Sequence, residues 1–173
     1  MSRAFVKESD DDAAAGELPE RPVPTHPNYV TARGLAQLQA RERELAARHE
    51  SLKFTAEDDS AAKHTLREIE RDLRYLHAQL ERAELVRSGP AQAILDARYV
   101  RFGATVVIED DSGTRHSYRI VGDDEADAAM GDISWASPLA RALIDARVGD
   151  VVTWHRPAGA TDVEIIDIRY DHA

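Results

Sequence analysis

From Thr31 onward, apolar residues recur at helical spacing. Leu35, Leu38, Leu45 and Leu52 fall at heptad-compatible intervals, with Glu42 and His49 at two of the intervening seam positions. A second run, Ala62, Leu66, Ile69, Leu73, Leu76, Leu80 and Ala83, alternates steps of four and three without a break. No proline lies between Pro27 and Pro90. Two such seams in succession, separated by a polar patch, predict an antiparallel coiled-coil hairpin over residues 29–89, with its tip near Asp58 and Asp59. Helices of roughly 26 residues, at about 1.5 Å per residue, would project on the order of 40 Å. A rod of that kind is too thin to be a globule of its own and reads as a lever or a probe.

After Ser88-Gly89-Pro90 the period changes from helix to strand. Residues 100–108 alternate around Phe102, Ala104, Val106 and Ile108, Glu109-Asp110-Asp111-Ser112-Gly113 reads as a hairpin turn, and residues 116–121 return. In residues 137–144, Ser137 stands as a helix N-cap, Pro138 takes the first helical position, and apolar residues follow at helical spacing. Two more strands, at residues 151–154 and 163–170, flank Pro157-Ala158-Gly159. The fold class is α+β: a helical hairpin followed, over residues 90–173, by a small domain with an antiparallel sheet and one short helix. Residues 1–28 hold four of the seven prolines, Pro19, Pro22, Pro24 and Pro27, and the acids Glu8, Asp10, Asp11 and Asp12. Such a composition buries too little to offset chain entropy, so the segment reads as a flexible, Pro-rich acidic arm. It is either a solvated tail or a docking peptide acting through Phe5 and Val6.

Composition narrows the partners. At 173 residues the chain makes one ordinary domain or two small ones, which excludes large multidomain enzymes. Its net charge of −10 makes duplex nucleic acid a poor primary partner and a basic protein surface a better one. The charge is uneven: residues 1–28 carry 3 basic and 6 acidic side chains, residues 29–89 carry 11 of each, and residues 90–173 carry 8 and 15. There is no cysteine, so disulfides, thiolate zinc sites and cysteine nucleophiles are excluded. Neither a signal-peptide core nor a run of about 18 apolar residues occurs, and the expectation is a cytoplasmic protein with no membrane partner. Phosphate-loop, GxSxG, HExxH and EF-hand motifs are all missing. The seven histidines are scattered, and none is assigned to catalysis; His49 and His64 are placed to face one another near the tip.

The tip carries three consecutive acids, Glu57, Asp58 and Asp59. One of them is enough to cap the second helix, where the dipole favours negative charge. Three at the end of a projecting rod could instead bring oxygen ligands to a hard cation such as Mg²⁺, which shares its ligands with a host site. Both readings stand.

The C-terminal segment resembles the GreA/GreB family of bacterial transcript-cleavage factors. The resemblance rests on Phe102-Gly103-Ala104-Thr105-Val106, on Tyr118-Arg119-Ile120-Val121-Gly122-Asp123-Asp124-Glu125-Ala126-Asp127, and on Ile133-Ser134-Trp135-Ala136-Ser137-Pro138-Leu139-Ala140-Arg141-Ala142-Leu143. Val148-Gly149-Asp150-Val151-Val152, Pro157-Ala158-Gly159 and Ile166-Asp167-Ile168-Arg169-Tyr170 continue in family order. Upstream, Thr31-Ala32-Arg33-Gly34-Leu35 looks like the family's opening helix, and Leu66-Arg67-Glu68-Ile69-Glu70-Arg71-Asp72-Leu73-Arg74-Tyr75-Leu76 is similar to the GreB branch. The resemblance implies an FKBP-like C-terminal domain that holds the rim of the RNA polymerase secondary channel while the coiled coil reaches the active site. It further implies that acids at the tip help to hold a Mg²⁺ and a water, so that the polymerase hydrolyses the 3′ end of a backtracked RNA by two-metal chemistry. The factor would then be no enzyme itself, would have no intrinsic cofactor, and would act as a monomer that touches the nascent RNA only indirectly.

Two departures from the family pattern qualify this. Counted without gaps, the family's tip Asp and the Glu three residues later fall on Leu52 and Thr55; with both arms shortened, the tip moves to Glu57, Asp58 and Asp59, which become the catalytic accessories and metal ligands. The second reading leaves the arms equal and is preferred. The family also has Asp before Ser-Pro where this chain has Ala136; Ser134, Trp135, Ser137 and Pro138 are the candidate polymerase contacts, with packing inside its own domain as the alternative for Trp135. The competing functional reading is a secondary-channel regulator that does not stimulate cleavage. An FKBP-like fold alone does not make a prolyl isomerase, and no residues argue for that pocket.

Overall fold

The computed structural model describes residues 18–54, 59–87 and 99–170. The predicted tip acids Glu57 and Asp58, together with most of the predicted arm, lie outside them.

Strand β1 (Asn28–Val30) leads into helix α1 (Ala32–Lys53), and helix α2 (Ser60–Glu81) leads out into strand β2 (Ala83–Leu85). Thr31 caps α1, its hydroxyl accepting from the Gly34 N–H at 2.9 Å, and Asp59 caps α2, its carboxylate accepting from the Ala61 N–H at 2.9 Å. Each helix is 22 residues long, about 33 Å at 1.5 Å per residue, rather than the longer arms expected. The shortfall has a structural cause: the residues at the base pair as strands. Asn28, Tyr29 and Val30 lie beside Ala83, Glu84 and Leu85 in parallel, with the two helices as the crossover that parallel pairing requires. Asn28, placed in the arm by composition, is thus the first residue of β1.

The hairpin core is concentrated at this end, where Val30, Leu38, Tyr75 and Leu76 are buried and Leu35, Leu45, Leu80, Ala83 and Leu85 pack against them. The two polar residues that interrupt the α1 seam are matched across the hairpin: His77 Nε2 lies 3.3 Å from Glu42 Oε1, and His49 Nε2 lies 3.1 Å from Glu70 Oε1. His49 therefore faces Glu70, while His64 pairs with Glu68 on its own helix.

In the C-terminal domain, β3 (Ala104–Asp110) and β4 (Arg115–Val121) form a hairpin; two 3-10 turns (Asp123–Glu125 and Ala128–Met130) lead to β5 (Asp132–Ser134), helix α3 (Pro138–Leu143), β6 (Val151–Arg156) and β7 (Gly159–Tyr170). The sheet order is β5-β4-β3-β7-β6. It is antiparallel as expected except at one edge, where β5 pairs in parallel with β4. The turns make this possible, because they carry the chain back along β4 so that Asp132 starts level with Arg119 and β5 runs in the same direction; a three-residue strand has too short a pattern to be read from sequence. Strand β3 begins later than expected, because Gly103 N–H donates to Ile120 O and Ala104 N–H to Arg101 O, closing a turn before the ladder starts.

Inward residues alternate along β3, with Ala104, Val106 and Ile108 buried, and meet Ile120, Val163 and Ile165 across the sheet. Helix α3 covers this face with Leu139, Ala140 and Leu143. Its N-terminus is as the sequence predicts: the Ser137 hydroxyl accepts from the Ala140 N–H at 3.2 Å, and Pro138 is the first helical residue. Among the described residues, no helix is long and apolar enough to cross a membrane.

Candidate functional site

The hairpin is joined to the sheet domain by three successive carboxylates in the turn Asp123–Glu125, and each holds a different segment. Asp123 Oδ2 lies 2.5 Å from His26 Nε2, just ahead of β1, and the same carboxylate accepts from the Ser134 hydroxyl. Asp124 takes α2: the Tyr75 hydroxyl donates to it at 2.8 Å and Gln79 Nε2 at 2.6 Å. Glu125 takes the start of α1, accepting from the Thr31 hydroxyl at 2.7 Å and from Arg33 Nε at 2.8 Å.

A fourth acid completes the junction. Asp132 accepts a two-pronged contact from Arg119, at 2.8 and 2.7 Å, and a third bond from Arg33 at 2.8 Å. Arg33 thereby bridges Glu125 and Asp132, whose side chains are only 2% and 7% exposed. Buried charges of this kind are tolerable only when paired, and here each carboxylate has its cation.

The approach is close enough to dictate residue types. A Cβ on Gly34 would lie 2.5 Å from Glu125 Oε2, and one on Gly122 would lie 2.5 Å from the Tyr29 carbonyl. Only glycine lets the first turn of α1 and the entry to the acidic turn pass at this distance.

The electrostatics agree with a locked joint. Hydrogen bonding from Arg119, then from Arg33, holds the Asp132 carboxyl below its ordinary range against the opposing effect of burial. The Arg33 guanidinium is raised, chiefly by its bond to Asp132. Burial, then the bond to Asp124, pushes the Tyr75 phenol up to about 12. An open cleft of about 530 Å³ beside the joint is lined by Arg33, Arg119, Ser117, Asp127, Met130 and Asp132, but both arginines are committed to the acids. Ser134 and His26 both bond to Asp123, so the serine hydroxyl donates to the Asp123 carboxylate and the imidazole is engaged with that carboxylate's other oxygen. What these bonds do is position the hairpin against the sheet domain.

The sequence-predicted residues fall in two places. At the tip, Asp59 is exposed and one of its oxygens caps α2. Among the described residues no three His, Cys, Asp or Glu side chains converge as a metal site. In the loop, Ser134 serves Asp123 and accepts from the Ala136 N–H at 3.0 Å, while Ser137 and Pro138 start α3. Trp135 is half-buried within the molecule: its ring centroid lies 4.9 Å from that of Tyr29 and 5.3 Å from that of His26.

The joint itself escaped the sequence reading. Its acids lie in the quoted run Gly122-Asp123-Asp124-Glu125 and its partners in Thr31-Ala32-Arg33-Gly34, but nothing in either run says that the two meet. The available signal was an arginine and a glycine within the first turn after a helix cap, a position with no local use for either.

The family described as "Transcription elongation factor, GreA/GreB, C-term" matches residues 95–170. Transcription elongation factor GreA of Thioalkalivibrio sulfidiphilus is 39% identical over 135 residues, covering 75% of this chain and 84% of that protein. Transcription elongation factor GreB of Neisseria meningitidis serogroup B is 44% identical over 108 residues, covering 62% of this chain and 64% of that protein. The solved GreA factor homolog 1 (Gfh1) of Thermus thermophilus is 26% identical, with a TM-score of 0.39, covering 83% of this chain and 99% of that one. The chain belongs to the GreA/GreB family. It spans 64% of the length of the Neisseria GreB relative.

Proposed function

We propose that this protein is a transcription elongation factor that binds RNA polymerase in the cytoplasm, seats its C-terminal domain at the rim of the secondary channel and directs the hairpin inward to stimulate cleavage of backtracked transcripts. The observation that carries this is the anchored rod: two 22-residue helices whose base is held by Asp123, Asp124 and Glu125, with Asp59 exposed where α2 begins at the other end. A rod held this way can deliver a carboxylate to a distant site without an active site of its own. The polymerase's Mg²⁺ supplies the activation of water and the stabilisation of the leaving oxygen. The part of this chain is to place Glu57, Asp58 or Asp59 beside that ion, while residues around Ser134, Trp135, Ser137 and Pro138 meet the rim.

A second reading, a channel occupant that does not stimulate cleavage, is favoured by two observations. Asp59 is engaged as a helix cap, and the arms are only 22 residues long. The test is RNA 3′ cleavage in a deliberately backtracked polymerase complex, with and without the protein, over a series of Mg²⁺ concentrations. The expected result is factor-dependent cleavage that is strongest at low Mg²⁺ and is lost when Glu57, Asp58 and Asp59 are changed to Gln, Asn and Asn. Binding without cleavage establishes the second reading. Absence of binding to core polymerase at micromolar concentration overturns both.

A further inference from the structure

Residues 18–27 do not leave the molecule at β1; they run along α2 toward its C-terminal end. Glu20 accepts from Arg74 Nε at 3.0 Å. The Arg21 guanidinium lies 3.9 Å above the Tyr75 ring, with Asp72 3.7 Å from the same group. At the far end of α2, Arg82 donates to the His26 carbonyl at 2.6 Å. Asn28 Nδ2 then donates to the Gln79 carbonyl at 2.8 Å, and β1 begins.

Two of these contacts fall on groups that already join the hairpin to the sheet domain. The ring under Arg21 belongs to the tyrosine whose hydroxyl bonds Asp124, so the guanidinium holds the face of the side chain that makes that bond. His26 bonds Asp123 on one side and meets the Trp135 ring edge-on, at an interplanar angle of 88°, on the other. Asp123 in turn holds Ser134. His26 therefore touches both the acidic turn and the candidate docking loop at residues 134–138, while its carbonyl is tied to α2. No other described residue ahead of the hairpin makes both connections.

We propose that residues 20–28 form a strap, with Arg21 and His26 as its positioning residues, that fixes the direction of the hairpin relative to the docking loop at residues 134–138. The inference deepens the proposed function: a factor docked through that loop delivers its tip correctly only if the angle between loop and rod is held. At the end of a rod of about 33 Å, a tilt of a few degrees at the base moves the tip by an ångström or more, enough to cost a reaction that depends on near-attack placement. Glu125 and Asp124 bond the start of α1 and the C-terminal part of α2, and the strap adds ties from α2 to Asp123 and the loop.

The chain contains no cysteine, so two introduced thiols are the sole labelling sites. Ala47→Cys on the exposed face of α1 and Val151→Cys on exposed β6 carry spin labels, and the distance distribution between them is measured in the full chain. The otherwise unaltered protein is expected to give one narrow distribution, Arg21→Ala with His26→Ala a broadened or split one, and Arg21→Ala with His26→Gln, which restores a donor to Asp123, an intermediate width. In the polymerase assay, the double-alanine protein is expected to keep its half-saturating concentration while its maximal effect falls about tenfold. An unchanged distance distribution overturns the strap, as does a loss of affinity with the maximal effect intact. Should the protein not bind polymerase at all, the functional reading fails and the distance measurement still decides the strap. If the double-alanine protein is unfolded by circular dichroism, the single variant Arg21→Ala, which leaves the Asp123 bond in place, is read in the same way.

Discussion

The C-terminal sheet and the helical hairpin bury their apolar residues on different plans. In the sheet domain, Val106, Ile108, Ile120, Leu143 and Ile165 are all at 0% exposure, and one layer of side chains runs from β4 across to β7 under α3. In the hairpin, burial is graded. Leu38, Tyr75 and Leu76 are buried near the base, Ile69 is the last buried residue of α2 in the direction of the tip, and Leu45, Leu52 and Leu66 are only half-covered. Two helices side by side have no third layer to close over the seam. What the hairpin lacks in packing it gains at its base from bonds to another domain. The sheet domain carries its stability internally; the hairpin borrows much of its own from the joint.

The largest test of this contrast is Leu143→Ala, which opens a cavity in the closed core and is expected to cost about 3 kcal/mol. Denaturation followed by fluorescence is diagnostic, because both tryptophans, Trp135 and Trp154, lie in the sheet domain. Within the hairpin, the gradient predicts that Leu76→Ala costs about 3 kcal/mol and Leu66→Ala about 1 kcal/mol. Helical ellipticity is the readout, and equal costs would contradict the graded packing.

Next in size is the joint. Glu125→Gln removes the charge that Arg33 and Thr31 address, for an expected loss of about 2 kcal/mol, tempered because Arg33 is half-exposed. The loss is expected to appear in the helical signal before the fluorescence, so coincident transitions would mean that hairpin and domain unfold as one unit.

The joint also predicts a response to pH at both ends of the scale. The Asp132 carboxyl is depressed in the folded state, so its contribution is present above the ordinary carboxylate range and is lost as the pH falls through the folded value. Asp132→Asn should flatten the acid limb of the stability curve. The Tyr75 phenol is raised to about 12, so the stability tied to its neutral form is complete below the ordinary tyrosine range, near 10, and is lost as the pH rises toward 12. Tyr75→Phe should remove that alkaline limb. The smallest effect is at the tip, where Asp59→Ala is expected to cost about 1 kcal/mol of α2 stability and Asp59→Asn almost nothing, since asparagine caps equally well. Asparagine thus separates the cap from the charge: cleavage lost with stability unchanged would show that the carboxylate itself is used.

Much of the architecture was legible in the chain because it follows from periodicity. The four-and-three seam from Ala62 to Leu80 is α2, with its last member Ala83 opening β2; the alternation through Ala104, Val106 and Ile108 is β3, and Ser137-Pro138 starts α3 as capping rules require. The two polar residues at seam positions of α1, Glu42 and His49, are cross-helix pairs with His77 and Glu70. The parallel pairs β1–β2 and β4–β5 were not legible, since three-residue strands have no measurable period and their partners lie 55 and 13 positions away.

Local rules operate over a few residues, and so the sequence alone determined the helices, the main strands, their caps and the family to which their motifs belong. The joint is another matter. Asp123, Asp124 and Glu125 are an ordinary acidic turn until tertiary structure brings His26, Tyr75, Gln79, Thr31 and Arg33 to them from 45 to 97 residues away. A charge becomes a structural element only when burial lowers the dielectric around it and a partner is waiting. Neither condition is written at the position of the charge itself, and both were decided by how the hairpin and the sheet came together.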